Sequence, residues 1–429
     1  MKHWVILLIC TLGVSTLQAQ SIIENSAQLL ADHKYSKLCK QFDDPLKDQV
    51  DHKLLKTIWT QTEEMFGPFQ AYSDPEFKEV EGRIEENIFL HFRDNTFKMK
   101  LVHSGGVISG LLISPLAYSP PSYGKDLVVS KQYLSIPSGD IELEGELVIP
   151  IDCNNCPLVI LVHGSGALDK DETIGPTKVF NDIAIGLAEQ GIATYRYDKR
   201  TMVNPEMLNG QFTIYDETIN DAITALNYFK THSIYRFDKV AILGHSLGAY
   251  AMPLLADSAD NLNGMILFSA NARRLEDLIL DQIEYLSATD GDVSRAERKM
   301  LESSQERAEK IRTKAYTEST PAEELMVYWP GKFWWGIHDY DPVQLTKSLD
   351  IPTLILQGEK DYQITMVDFG IWKENLSGKD NVELISYPNL THLFTRTELE
   401  MSQPTDYFKP SNVEFQVIQD IARWVYQLP

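Results

Sequence analysis

Positive charge is scarce in this 429-residue chain: 39 Lys and Arg stand against 61 Asp and Glu, a formal net charge of −22. A nucleic-acid binder usually shows a basic face to meet phosphate, so the balance argues against that class. The acidity is read as a solubility feature. Cysteine is scarce too. Of the four, Cys10 falls in an N-terminal leader, which leaves Cys39, Cys153 and Cys156. A zinc site would need a second pair, and none exists. A redox Cys-x-x-Cys would open a helix, whereas Pro157 and an apolar run follow Cys156. The favoured reading of Cys153-Asn-Asn-Cys156 is a local disulfide in an oxidising compartment, with two free thiols as the alternative and Cys39 as a buried leftover. No apolar run after the leader is long enough to span a bilayer. Internal repeats and low-complexity tracts are absent.

What is present starts with the leader itself, MKHWVILLICTLGVSTLQAQ. Lys2 and His3 precede an apolar run from Trp4 to Leu12, then small or polar residues to Gln20. This is the pattern of a secretory signal peptide over residues 1–20, cut after Ala19 or Gln20. Leu8 and Ile9 before Cys10 disfavour a lipoprotein. The mature protein is expected to be soluble and exported, periplasmic or extracellular.

Residues 21–120 read as a small α+β domain. Ile22 to His33 and Pro45 to Phe66 carry helical spacing, with Leu46, Val50, Leu54, Ile58, Trp59 and Met65 able to share a face. Period two follows in Phe77–Val80, Arg83–Phe92, Thr96–Val102 and Val107–Ile113, with Asp94-Asn95 and Gly105-Gly106 as turns. A Pro-rich linker (Pro115, Pro120, Pro121) leads to residues 125–429, where strand and helix alternate as in a mostly parallel sheet. Residues 272 to about 345 interrupt that rhythm with charged helical spacing and an aromatic cluster (Tyr328, Trp329, Phe333, Trp334, Trp335, Tyr340). They are expected to form a cap whose aromatics either line a pocket or pack the cap on the core.

Chemistry gathers around Val240–Tyr250, VAILGHSLGAY. A buried apolar strand runs into Gly244-His245-Ser246-Leu247-Gly248 and then a small-residue helix start, the context of a nucleophile elbow. A serine hydroxyl needs an adjacent base that is itself oriented by a carboxylate. In α/β-hydrolase order these follow as Ser, acid, His. The strand Thr353–Gln357 is followed by Asp361, the expected acid, with Glu359 as runner-up. Beyond it the chain holds one histidine, His392, on a loop after the last strand, the expected base. The oxyanion donors are expected from the backbone N–H of Leu247 and, in the turn His163-Gly164-Ser165-Gly166, from that of Ser165. His163 and His245 are read as structural, orienting these turns by ring hydrogen bonds. Asp169, Asp171 and Glu172 could hold a metal or polar substrate; the favoured reading is a helix N-terminus that attracts acids. Asp198-Lys199-Arg200 reads as an ion-pair corner.

The stretches HGSGALDKDETIGPTKVFNDIAIGLAEQGIATYRYDKRT, GHSLG, YDPVQL, LQGEKDYQIT and NLTHLF resemble a family of bacterial serine esterases of the α/β-hydrolase superfamily. They are close to its dienelactone-hydrolase-like and serine-aminopeptidase-like branches, and the resemblance covers about residues 125–429. The order of residues 21–120 resembles a cystatin-like cone domain of unknown function that precedes such hydrolases. The resemblance implies a Ser246, Asp361 and His392 triad, a Ser165 and Leu247 oxyanion hole, and hydrolysis of small or aryl acyl esters with neither cofactor nor metal. Dienelactone hydrolases carry a cysteine where this chain has Ser246. Two other readings stay open: a peptidase with the same triad, using Glu323 and Glu324 of the cap to meet a substrate amine, and a binding protein on an inactive hydrolase fold.

Overall fold

The computed structural model describes residues 21–429 except 81, 94, 95, 232, 233, 235, 261, 289–292 and 294; the leader and the Asp94-Asn95 turn lie outside the described residues. The chain divides into two units, one ending at Leu116 and one running from Ala117 to Pro429.

The first unit carries α1 (Ile22–Ala31), α2 (Tyr35–Cys39), α3 (Asp44–Gln49) and α4 (His52–Phe66). An antiparallel sheet of β1 (Phe69–Tyr72), β2 (Glu76–Val80), β3 (Arg83–Phe92), β4 (Thr96–Ser104) and β5 (Val107–Pro115) follows. The single helix expected over 45–66 is two. Val50 is extended, and Asp51 starts α4 by accepting the N–H groups of Lys53 at 3.0 Å and Leu54 at 2.8 Å. A short carboxylate that caps backbone N–H groups favours a helix start over a helix interior. The break turns the apolar stripe: Leu55 and Trp59 are buried, while Leu54 and Ile58 are exposed. In the sheet the period of two holds, with Ile88, Leu90 and Phe92 of β3 and Phe97, Met99 and Leu101 of β4 all in the core.

The second unit is built on β6 (Val129–Ser138), β7 (Ile141–Pro150), β8 (Leu158–Val162), the short β9 (Thr173–Ile174) and β10 (Thr177–Lys178), and β11 (Ala193–Tyr197). It continues with β12 (Val240–His245), β13 (Gly264–Phe268), β14 (Thr353–Gly358) and β15 (Val382–Tyr387). Apart from the β9–β10 pair these form one sheet in the order β15-β14-β13-β12-β8-β11-β7-β6. It is parallel from β15 to β11, with β7 antiparallel to β11 and to β6. Helices α5 (Val179–Glu189), α6 (Arg200–Val203), α7 (Asn220–Thr231) and α8 (Leu247–Ser258) lie between strands. After β13 come α9 (Leu275–Ser287), α10 (Arg295–Arg312), α11 (Gly331–Ile337) and α12 (Pro342–Ser348), and α13 (Met366–Leu376) and α14 (Phe415–Gln427) complete the unit. Every residue of β8, β11, β12, β13 and β14 is buried. Strands covered by helices on both faces are apolar on both, which is why β8, β12, β13 and β14 read as largely continuous runs rather than alternations, while β11 also buries Thr194 and Arg196.

Helices α9 to α12 occupy the interruption expected as a cap. Phe333 and Trp334 are fully buried, and Phe333 meets Phe212 with ring centroids 5.8 Å apart. The Tyr340 hydroxyl donates to the Tyr250 carbonyl at 2.7 Å. Those three side chains pack; Tyr328 and Trp335 are exposed. Cys153 and Cys156 are joined in a disulfide in the turn after β7, and Cys39 is free and half-buried. Among the described residues no helix is long and apolar enough to cross a membrane.

Candidate active site

Ser246 sits between the end of β12 and the start of α8 with φ 54° and ψ −117°, a conformation that L-residues with side chains avoid. The surrounding packing enforces it. A Cβ at position 244 would lie 2.5 Å from the Gly248 carbonyl, and one at 248 would lie 2.5 Å from both the Val162 and His163 carbonyl oxygens. Only glycines let β12, α8 and the end of β8 approach this closely. The Ser246 N–H donates to the Phe268 carbonyl at 3.0 Å, tying the turn to β13. Leu247 is the first residue of α8, so its N–H belongs to the group that a helix leaves without an internal partner.

Asp361 follows β14 and is fully buried. Its Oδ1 accepts the N–H groups of Gln363 at 2.8 Å and Ile364 at 3.0 Å, and its Oδ2 accepts the Gln357 amide at 3.2 Å. The same Oδ2 lies 2.7 Å from Nδ1 of His392. With every other contact of this carboxyl an N–H donor, it receives the Nδ1 proton, so the tautomer it selects carries its lone pair on Nε2. Glu359 is differently engaged: its Oε1 accepts from the Ser386 hydroxyl at 2.7 Å, out on β15.

Of the other two histidines, His245 has both ring nitrogens engaged, whereas His163 has a partner only at Nε2. His245, next to Ser246, has Nε2 at 3.0 Å from the His392 carbonyl and Nδ1 at 3.0 Å from Oε2 of Glu172. A carbonyl can only accept, and burial of this ring would by itself lower its pKa, yet the Glu172 carboxylate outweighs burial and lifts it above the ordinary value. Burial pushes Glu172 up, but His245 and then the Gly164 N–H bring it below its ordinary value. Each partner thus favours the charged form of the other, and both ring nitrogens of His245 are engaged. His163 donates Nε2–H to the Asp169 carbonyl at 2.9 Å, and burial depresses its pKa to about 4. Through His245 the elbow is stitched to the loop that carries His392, and through Glu172 both are stitched to the Gly164 N–H, which donates to Oε1 at 2.9 Å.

A profile described as serine aminopeptidase, S33, matches residues 155–400. Esterase EstD of Thermotoga maritima is 31% identical over 406 residues, covering 93% of each chain. The chain belongs to the serine aminopeptidase S33 family of α/β-hydrolases. It is a hydrolase. Solved structures similar to it include the Pyrococcus furiosus esterase Pf2001, with a TM-score of 0.45 and 14% identity over 73% of this chain and 97% of that one. Est1E from Butyrivibrio proteoclasticus matches with a TM-score of 0.44 and 16% identity over 69% of this chain and 98% of its own.

The acidic cluster after the His163–Gly166 turn corrects the expectation of a helix N-terminus. Helix α5 begins only at Val179, and the three acids go to separate partners. Asp169 accepts from the Thr173 N–H and hydroxyl, each at 2.8 Å. Asp171 pairs with Arg196 at 3.0 Å and Lys178 at 2.7 Å; those cations hold its carboxyl below the ordinary range although burial pushes it up. Glu172 carries the buried link described above. Asp198-Lys199-Arg200 is an ion-pair corner as read, with Lys199 on Glu217 at 2.6 Å and Arg200 on Asp221 at 2.7 Å. Glu172 and Lys199 are the residues whose connection to the site the sequence did not disclose. An acid cluster and a Lys-Arg pair are visible in one dimension, but their burial is not.

Proposed function

We propose that the protein is a serine carboxylesterase acting on small or aryl acyl esters. Ser246 is the nucleophile, His392 the general base and then general acid, and Asp361 the carboxylate that holds its tautomer. The observation that carries the reading is the commitment of imidazole nitrogens. His245 and His163 have their donors engaged, and His392 alone pairs an Asp-bound Nδ1 with an Nε2 available as base, on a loop bonded to the residue beside Ser246. In the first half-reaction His392 Nε2 takes the Ser246 proton as Oγ attacks the ester carbonyl, then returns it to the departing alcohol. The negative charge on the tetrahedral oxygen is met by the N–H groups of Ser165 and Leu247. Water then attacks the acyl-enzyme with the same base. The name of the Thermotoga relative supports ester rather than amide substrates. We also propose export, on the composition of the leader and the disulfide, since such bonds persist in oxidising compartments.

The family description favours a second reading, an aminopeptidase with the same triad. Of the two cap acids that could meet a substrate amine, Glu324 is paired with Lys310 at 2.6 Å. Rates on residues 21–429 with p-nitrophenyl esters from acetyl to decanoyl, methyl ferulate and an alanine p-nitroanilide decide between them. Ester turnover that vanishes in Ser246→Ala, with an unchanged circular dichroism spectrum, is the expected result. Ester turnover that persists in Ser246→Ala refutes the nucleophile, and anilide turnover above ester turnover selects the peptidase.

A further inference from the structure

The His163–Gly166 turn and the residues that follow it are laid along the end of β11. The Lys199 N–H donates to the Leu168 carbonyl at 3.0 Å, and the Thr201 hydroxyl donates to the Gly166 carbonyl at 2.8 Å. Asp198 Oδ1 accepts the Lys170 N–H at 2.7 Å. Between these contacts, the Lys199 ammonium donates to the Gly164 carbonyl at 2.6 Å and to Oε1 of Glu217 at 2.6 Å. Lys199 and Glu217 are both buried, so this cation is held at one peptide of the turn with almost no solvent to screen it.

That peptide is the one that matters for the reaction. Every described peptide bond is trans, so across Gly164–Ser165 the N–H points opposite to the C=O. Fastening the Gly164 oxygen to Lys199 turns the Ser165 N–H away from Lys199. On the other side of Gly164 its own N–H is taken by Glu172, and its Cα abuts Ser246: a Cβ there would lie 3.2 Å from the Ser246 Cβ. The Ser165 N–H, without a partner among the described residues, is the amide of this pair that remains for a substrate oxygen.

We propose that Lys199 is a positioning residue for the oxyanion hole: its ammonium fixes the orientation of the Gly164–Ser165 peptide and polarises it, so that the Ser165 N–H is a stronger and pre-aimed donor. A hydrogen bond from a cation to the carbonyl end of a peptide withdraws electron density from its N–H end, and in a buried setting this reinforcement is larger than in water. Glu217 neutralises the cation, which makes its burial tolerable. The inference rests on the assignment of Ser246 and Ser165 given above.

The test compares wild type, Lys199→Met, the double variant Lys199→Met/Glu217→Gln, and Ser246→Ala, reading kcat and KM on a p-nitrophenyl ester and the inhibition constant of an alkyl boronic acid, which forms a tetrahedral adduct at the serine. The double variant removes the pair together and leaves no lone buried carboxylate, so it keeps the test open if Lys199→Met does not fold. Melting temperature establishes folding. The expected result is a kcat lowered about 10- to 100-fold, a somewhat smaller loss than that for deleting an oxyanion donor outright. KM should stay within about threefold, and boronate affinity should fall in step with kcat. A purely structural role would lower stability without this split. A folded variant with wild-type kcat and boronate affinity, while Ser246→Ala is inactive, overturns the inference and leaves the esterase reading standing. Turnover in Ser246→Ala overturns that reading, and this inference with it.

Discussion

Gly358 ends β14, and its Cα faces the backbone of the loop that carries His392. A Cβ at this position would lie 2.4 Å from the Thr391 carbonyl oxygen, 2.5 Å from that of Leu390 and 2.9 Å from the Leu390 carbonyl carbon. An ordinary carbon–oxygen contact needs about 3.3 Å, so Gly358→Ala demands a retreat of roughly 0.9 Å. None of the opposing atoms belongs to a flexible side chain, so the loop itself must move, and Thr391 is the neighbour of His392. Overpacking of this kind costs about 1–3 kcal/mol, which for a unit of this size lowers Tm by roughly 1.5–5 °C. The rate suffers more. A displacement near 1 Å of a catalytic group costs about 100-fold, so kcat/KM on a p-nitrophenyl ester should fall about 30- to 100-fold. The rate of fluorophosphonate labelling at Ser246 should fall with it. Gly370→Ala is the matched control: it lies in α13, where an added Cβ meets nothing within 4 Å. It should leave kcat/KM unchanged and raise stability by about 0.5–1 kcal/mol. If Gly358→Ala keeps both wild-type kcat/KM and Tm, the argument that this contact seats His392 is wrong.

Asp361→Asn should retain the fold but lose about 10⁴-fold in kcat, the loss that a wrongly held imidazole tautomer causes in a serine triad; a loss under tenfold would remove Asp361 from that role. His163 offers a stability test with a defined sign. Burial holds its folded pKa near 4 against an ordinary 6.5. The unfolded chain therefore takes up a proton first, and stability present above pH 6.5 is lost as pH falls toward 4, by about 3 kcal/mol across the window. In urea titrations between pH 7 and 4.5, His163→Gln should show a shallower decline than wild type, because glutamine can keep the donor to the Asp169 carbonyl without titrating. Parallel declines would show that His163 is not the group responsible.

Much of the architecture is written in local pattern. The continuous apolar runs of β8, β12 and β14, the Gly-x-Ser-x-Gly between strand and helix, and the order of Ser246, Asp361 and His392 are all properties of neighbouring residues or of chain order. One sequence displays those directly. The acid was narrowed to Asp361 or Glu359 by position after a strand. Which of the two faces His392 was decided by the turn that follows β14, which sends one carboxyl to the imidazole at 2.7 Å and the other to Ser386. The break between α3 and α4 was missed because helical spacing runs straight through Val50, and only the cap formed by Asp51 ends one helix and starts the next. The buried pairs were beyond reach for a different reason. Glu172 and His245 are 73 positions apart, and Lys199 and Glu217 are 18 apart. Nothing in the composition around them distinguishes a solvated charge from a buried one. Whether a charge is solvated or buried depends on which distant segments close over it, and here β8, β11 and β12 bring those segments together beneath the His163–Gly166 turn. Local sequence therefore determined which groups could react, and tertiary packing decided which histidine has its Nδ1 held by Asp361 and its Nε2 left open, and which amide is left pointing free.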